Sequence, residues 1–190
     1  ITLPGNLHFT YDSTANAKAL ALSAGETALD TFNYTINDGH GGSVTKSITI
    51  QLTGVNDAPV AADAAASTNA NASTSINITF NDLDHLDTHS NSDADPTNNI
   101  TWVRTSSTNY GMLSLVSVDD TINPSGLSVP GTLHFTYNPT SNALALPLGQ
   151  TANDVFNYTI NDGHGGSVTH SLTIGLTGTL QISTSVPDLN

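Results

Sequence analysis

Hard oxygen ligands are the chemistry this sequence offers, and they fall in three groups. Asn56-Asp57 stand directly before Ala58-Pro59. Asn81-Asp82-Leu83-Asp84-His85-Leu86-Asp87 follows an alternating apolar stretch that ends at Phe80. Glu26, in Gly25-Glu26-Thr27, is the only Glu in the chain. Calcium takes about six to eight oxygens from carboxylates, amides and carbonyls. Loops at the abutting ends of two β domains reach that number together, and neither end reaches it alone. An ion held there would also fix the angle between the domains. Glu26, Asn56, Asp57, Asp82, Asp84 and Asp87 are therefore the candidate calcium ligands. Asp38 and Asp162 lie in Asn-Asp-Gly turns, where a carboxylate caps the backbone, so a turn role is preferred there. Asp93 and Asp95, in the polar loop 90–99, are a further pair able to carry an ion.

Other chemistries have less support. His85 among Asp82, Asp84 and Asp87 has the residue types for hydrolysis, but no nucleophile elbow or metalloprotease motif accompanies it. His85 and His89 have a spacing that serves zinc only on a helix, and this loop does not read as helical. His40 and His164 recur in the same turn, which fits a structural or surface place. Asp95-Pro96 is acid-labile and carries no further sign of self-cleavage. No Cys is present, which removes disulfides, thiolate metal sites and cysteine nucleophiles. No enzyme activity is expected.

The elements that must position these ligands follow from an internal repeat. Residues 30–54 and 154–178 are identical at 21 of 25 positions. Upstream, Leu7-His8-Phe9-Thr10-Tyr11 matches Leu133-His134-Phe135-Thr136-Tyr137. A period near 125 residues suits a whole domain in a tandem array rather than a solenoid unit. The expected organisation is an incomplete repeat over 1–57, a complete repeat over 58–178, and a linker or the start of another module over 179–190. Since the chain begins at Ile1 without Met, it is expected to be part of something longer.

Apolar residues alternate with polar ones at Phe32, Tyr34 and Ile36, at Ile48, Ile50 and Leu52, and at Ile76, Ile78 and Phe80. Period two with β-branched and aromatic residues means half-buried strands. Seven strands are expected in the complete repeat, near 60–66, 74–80, 99–105, 111–117, 132–137, 154–160 and 167–176. The last three also recur within 1–57. The fold class is all-β: antiparallel Ig-like sandwiches in tandem. Trp102 is expected between the two sheets. Residues 143–146 read either as a short helix or as an extended crossing.

The repeat also carries its own comparison. Glu26 is matched by Gln150, and Val55-Asn56-Asp57 by Thr179-Leu180-Gln181. Both acidic side chains vanish together, as expected if Glu26 and Asp57 serve one joint.

Lys and Arg total 3 against 16 acidic residues, so the net charge is 3 − 16 = −13. That disfavours phosphate-contacting nucleic-acid binders and docking on anionic lipid. There is no apolar run long enough to span a membrane.

Phe-Thr-Tyr-Asp, Gly-Glu-Thr, Asp-Thr-Phe-Asn-Tyr-Thr-Ile-Asn-Asp-Gly-His-Gly-Gly and Thr-Gly-Val-Asn-Asp-Ala-Pro together resemble the VCBS repeat of very large secreted bacterial proteins, including RTX-type adhesins. The resemblance runs to about Gly178. It implies a cadherin-like fold, with Asn56-Asp57-Ala58-Pro59 similar to a cadherin linker. It further implies calcium-stiffened extender domains that hold an adhesive tip away from the bacterial cell surface. It carries the ligand role onto Glu26, Asn56, Asp57, Asp82 and Asp84. The expected partners are neighbouring repeats of the same chain, with other copies joining by strand addition as an alternative. Such addition would make the chain a filament subunit. A glycan- or peptide-binding module is the other alternative, although Tyr110 and Trp102 are the only aromatic candidates for it.

Overall fold

A computed structural model describes residues 5–87, 89, 99–120 and 128–180. The chain runs α1 (Ala17–Leu20), β1 (Thr27–Asn37), β2 (Ser43–Thr53), β3 (Ala64–Asn69), β4 (Thr74–Asp82), β5 (Ile100–Arg104), β6 (Gly111–Asp120), β7 (Val129–Pro139), α2 (Ser141–Leu144), β8 (Thr151–Asn161) and β9 (Ser167–Thr177). Residues 143–146 thus resolve to the end of a one-turn helix and the residues after it. Asp93, Asp95 and the Asp95-Pro96 bond lie outside the described residues, as do residues 181–190.

A four-stranded sheet, β3-β9-β8-β5, faces a three-stranded sheet, β4-β7-β6. The alternation read from the sequence decides which side chains fill the space between them. Ile76, Ile78 and Phe80 of β4, Leu133, Phe135 and Tyr137 of β7, and Phe156, Tyr158 and Ile160 of β8 are all buried in one cluster. With both inner faces apolar, burial supplies the main driving force for closing the sandwich. This is an all-β, Ig-like architecture. Trp102 is half-buried against that core: its ring meets Phe135 edge-on at 5.5 Å, and its Nε1 donates to the Leu113 carbonyl of the opposite sheet.

Asp154 ties the same core to its end. It is fully buried, and Tyr137 Oη donates to it at 2.6 Å. Ser106 Oγ and the Tyr110 amide donate as well, and the Arg104 guanidinium pairs with it while stacking over Phe156. Burying a carboxylate is costly unless it is paired and hydrogen-bonded, and Asp154 is both.

Two expectations shift. Six of the seven strands fall where the pattern puts them, but the first begins later, at Ala64. Val60 makes only a single bridge to Asn81. The reason is composition: residues 61–66 are mostly Ala, with no period to mark an edge. Moreover β3 pairs with β9 in parallel, so the sheets are not wholly antiparallel. The second shift concerns the start of the chain. β1 and β2 form a two-stranded antiparallel hairpin, but residues 5–11 form no strand, although they match β7. β7 takes its ladder from β4 and β6 on either side. Residues 5–11 have no equivalent of either, so no ladder forms. Their rings still pack as in the other copy: Tyr11 meets Phe32 at 5.7 Å, as Tyr137 meets Phe156 at 6.4 Å.

Candidate metal centre

Three segments converge at one end of the sandwich. The first is the linker 54–59, pinned where Val60 and Asn81 exchange backbone hydrogen bonds of 2.7 and 2.9 Å. The second is the loop leaving β4. The third is the β8–β9 turn, Asp162-Gly163-His164-Gly165-Gly166. Gly163 and Gly165 hold positive φ there, a conformation that favours glycine.

Asp82 closes β4 fully buried, and its Oδ1 accepts from the Asp84 amide at 3.0 Å. Its Oδ2 lies 3.0 Å from His89 Nε2. Asp84 is also fully buried, and its Oδ2 accepts from the Asp57 amide at 2.7 Å. Linker and loop are therefore joined backbone to side chain. Asp87 is buried, with Oδ2 3.0 Å from His164 Nδ1. Asn56 Nδ2 donates to Asp162 Oδ2 at 2.9 Å. Asp162 Oδ1 meanwhile accepts from the His164 and Gly166 amides, which is its turn role. One carboxylate thus serves both turn and joint.

Gathering these acids has an electrostatic cost. Burial raises the Asp84 carboxyl to about 6, and Asp87, Asp82 and Asp57 push it the same way, while the hydrogen bond from the Asp57 amide opposes them. Burial also raises Asp87, with His164 opposing. Among the described residues, three buried side-chain polar atoms have no hydrogen-bond partner: Asn56 Oδ1, Asp84 Oδ1 and Asp87 Oδ1. All three are acceptors, and all three belong to this end. Buried acceptors are normally satisfied. A cation satisfies acceptors that no donor reaches.

Glu26 stands to one side. Its Oε2 accepts from its own turn's Ser23 amide at 3.1 Å and lies 3.6 Å from His85 Nε2. His85 and Leu86 in turn bond Ala21 and Ser23. Glu26 therefore meets the β4 loop through His85. Its backbone repeats what Gln150 does: Gly54 donates to the Glu26 carbonyl as Gly178 donates to that of Gln150.

Two contributors were not singled out from the sequence. The sequence gives Asp162 a turn role and, because it recurs, His164 a structural or surface place. Recurrence is also the signal that would have found them, since every joint in an array needs the same corner from the repeat that follows it.

A family model described as "Bacterial Ig domain" matches residues 56–175, a span that opens on Asn56 within the linker and includes the β4 loop and the β8–β9 turn. The chain belongs to the bacterial Ig domain family. No curated protein matches it. Among solved structures, this bacterial Ig domain chain is similar to "Zebrafish RET Cadherin Like Domains 1 to 4" at 8% identity, covering 78% of this chain and 34% of that one, with a TM-score of 0.39. It is similar to mouse clustered PcdhgC3 EC1-3 at 12% identity, covering 82% and 44%, with a TM-score of 0.37. It is similar to domains 4 and 5 of the S-layer protein SbsC at 14% identity, covering 79% and 58%, with a TM-score of 0.37. The chain spans less than two thirds of each of those solved chains. Among the described residues, no helix is long and apolar enough to cross a membrane.

Proposed function

We propose that this chain is a calcium-stiffened structural extender of a large secreted or cell-surface bacterial adhesin of the VCBS type, serving adhesion or biofilm formation rather than catalysis. Residues 1–57 are read as the end of one repeat and 58–178 as the next, with Asn56 and Asp57 at the joint. The carrying observation is the set of three buried acceptors without donors at that end. Asn56, Asp57, Asp82, Asp84 and Asp87 carry the carboxylate and amide oxygens that calcium takes. Glu26 supports the same joint by way of His85. Without the ion the carboxylates repel one another across the linker. With it, linker and loop are held as one unit.

Stiffening is read by amide hydrogen exchange over residues 54–60 and 82–87. Calcium is expected to slow exchange there, because opening then requires releasing the ion; at about 100 times the dissociation constant this adds about 2.7 kcal/mol. Equal exchange in calcium and in chelator would remove the reading.

The hairpin favours a second reading. Leu29 is 71% exposed and Phe32 46%, whereas the matching Phe156 is buried. Tyr11 Oη donates to Asp30 at 3.0 Å, but no Arg accompanies that pair as Arg104 accompanies Asp154. An apolar face with an acid awaiting a guanidinium suits added strands, and so suits a filament assembled by complementation. Concentration-dependent assembly in light scattering would support it; a monomer at every concentration would count against it.

A further inference from the structure

The hairpin presents an edge that its counterpart in the sandwich does not. In the four-stranded sheet, β8 lies between β9 and β5. In the hairpin, β1 has β2 on one side in an unbroken antiparallel ladder and, among the described residues, no strand on the other. Proteins blunt free edges with short strands, lysines, prolines or bulges. The edge strand β5 is short, at 5 residues, whereas β1 runs for 11 with no Lys, Pro or bulge. Such an edge is a template for a further strand.

The chain itself shows which strand fits. Residues 30–38 differ from 154–162 only in having Thr31 where β8 has Val155. β5 pairs with β8 from Ile100 opposite Ile160 to Arg104 opposite Phe156. The same register on β1 sets a strand of this type with its tryptophan opposite Tyr34 and its arginine opposite Phe32. In the sandwich, Trp102 meets Phe135 at 5.5 Å, and Arg104 stacks over Phe156 while pairing with Asp154. The hairpin half has the matching Phe9, Phe32 and Asp30. A cavity of about 380 Å³ is lined by Phe9, Tyr11, Phe32, Tyr34, Ile48 and Ile50. Asp30 lines a second, of about 420 Å³. Its carboxylate accepts from Tyr11 Oη as Asp154 accepts from Tyr137, but no guanidinium joins it.

We propose that the free edge of β1 is a peptide-binding site whose ligand is an extended segment with a tryptophan two residues before an arginine. The segment adds antiparallel to β1, and its backbone continues the ladder. Its indole packs on Phe9, and its guanidinium covers Phe32 and pairs with Asp30. Main-chain bonds give such a site its affinity, and alternate side chains give it specificity. The net charge of −13 works in the same direction, drawing basic segments and repelling acidic ones. This names the partner for the added-strand reading above and rests on that reading only for the openness of the face.

The test is a labelled synthetic peptide spanning residues 99–110, titrated with the 190-residue chain and followed by fluorescence anisotropy. The chain's own β5 is held on β8, so the peptide reports on β1. Saturable binding is expected. The peptide carrying Arg104→Ala is expected to bind at least about tenfold more weakly, as loss of one partner from a desolvated charge pair does. Asp30→Asn in the chain is expected to weaken the parent peptide similarly. Asp119→Asn, exposed on the other sheet, is expected to leave it unchanged. The peptide variant tests the charge pair even where Asp30→Asn disturbs the hairpin. No saturable binding overturns the proposal. So does equal binding of the two peptides, or equal binding by the parent and Asp30→Asn chains, because the peptide is then held elsewhere. Self-assembly of the chain that excess peptide does not reverse also overturns it, because a second copy then covers the face. A chain that stays monomeric yet binds the peptide removes the filament reading and supports this one.

Discussion

Asp84 shows how one residue sets the pH behaviour of the joint. Its carboxyl ordinarily titrates near 3.8 and is raised to about 6 in the fold. A raised carboxyl favours the protonated folded state, so its contribution is complete below about 3.8 and is lost as pH rises through about 6. Asp87 moves in the same direction. The metal-free protein should therefore lose stability across that window, and calcium, which binds the ionised form, should restore it. Thermal midpoints in chelator from pH 4 to 7 check this as a difference between the parent and Asp84→Asn. The variant should gain on the parent as pH rises and should respond less to calcium. Parallel profiles would show that Asp84 carries no such strain. The sequence showed where the acids were but not which were buried. Asp82 and Asp84 are fully buried, whereas Asp63, also in a loop, has a largely exposed side chain. Nor did it disclose the Arg104–Asp154 pair, whose members stand 50 residues apart with no local pattern to link them.

At the scale of elements, the β8–β9 turn is shaped to receive the linker. A side chain at Gly166 would collide with the Asp162 carboxylate and would sit 2.9 Å from both Ala58 Cα and Asn56 Nδ2. At the matching Gly42 the three nearest atoms all belong to Asp38. Gly166→Ala should therefore push the linker off the turn, destabilising by about 1–3 kcal/mol as overpacking does. It should also weaken the calcium response, which Gly42→Ala leaves intact. Calcium-dependent thermal shifts of the two variants measure the difference, and equal shifts would mean that linker and turn are not coupled. Most elements were legible because period two marks them directly: Ile76, Ile78 and Phe80 face inward as the alternation requires. The exceptions have plain causes. The Ala-rich stretch before β3 has no period to read. Leu7, Phe9 and Tyr11 have the period, yet lack the neighbours that turn an alternating segment into a strand.

For the whole molecule, a net charge of −13 on 190 residues works against compact packing unless cations offset it. The acids are not spread evenly. Five Asp residues from three segments, together with Asn56, meet at one end of the sandwich, where the linker enters. Burial and mutual repulsion disfavour charge on these carboxyls in the metal-free chain, and a divalent ion would offset both. This arrangement also explains why the sequence could name oxygen chemistry but could not build the site. Its residues come from positions up to 106 residues apart, Asn56 and Asp162, and only the fold brings them together. The central claim is that this end holds calcium. Its most direct measurement is a calorimetric calcium titration of the 190-residue chain beside Asp84→Asn. Saturable binding at or below millimolar calcium, weakened at least about tenfold in the variant, is the predicted result. No saturable binding at millimolar calcium, or equal binding by both proteins, would contradict it.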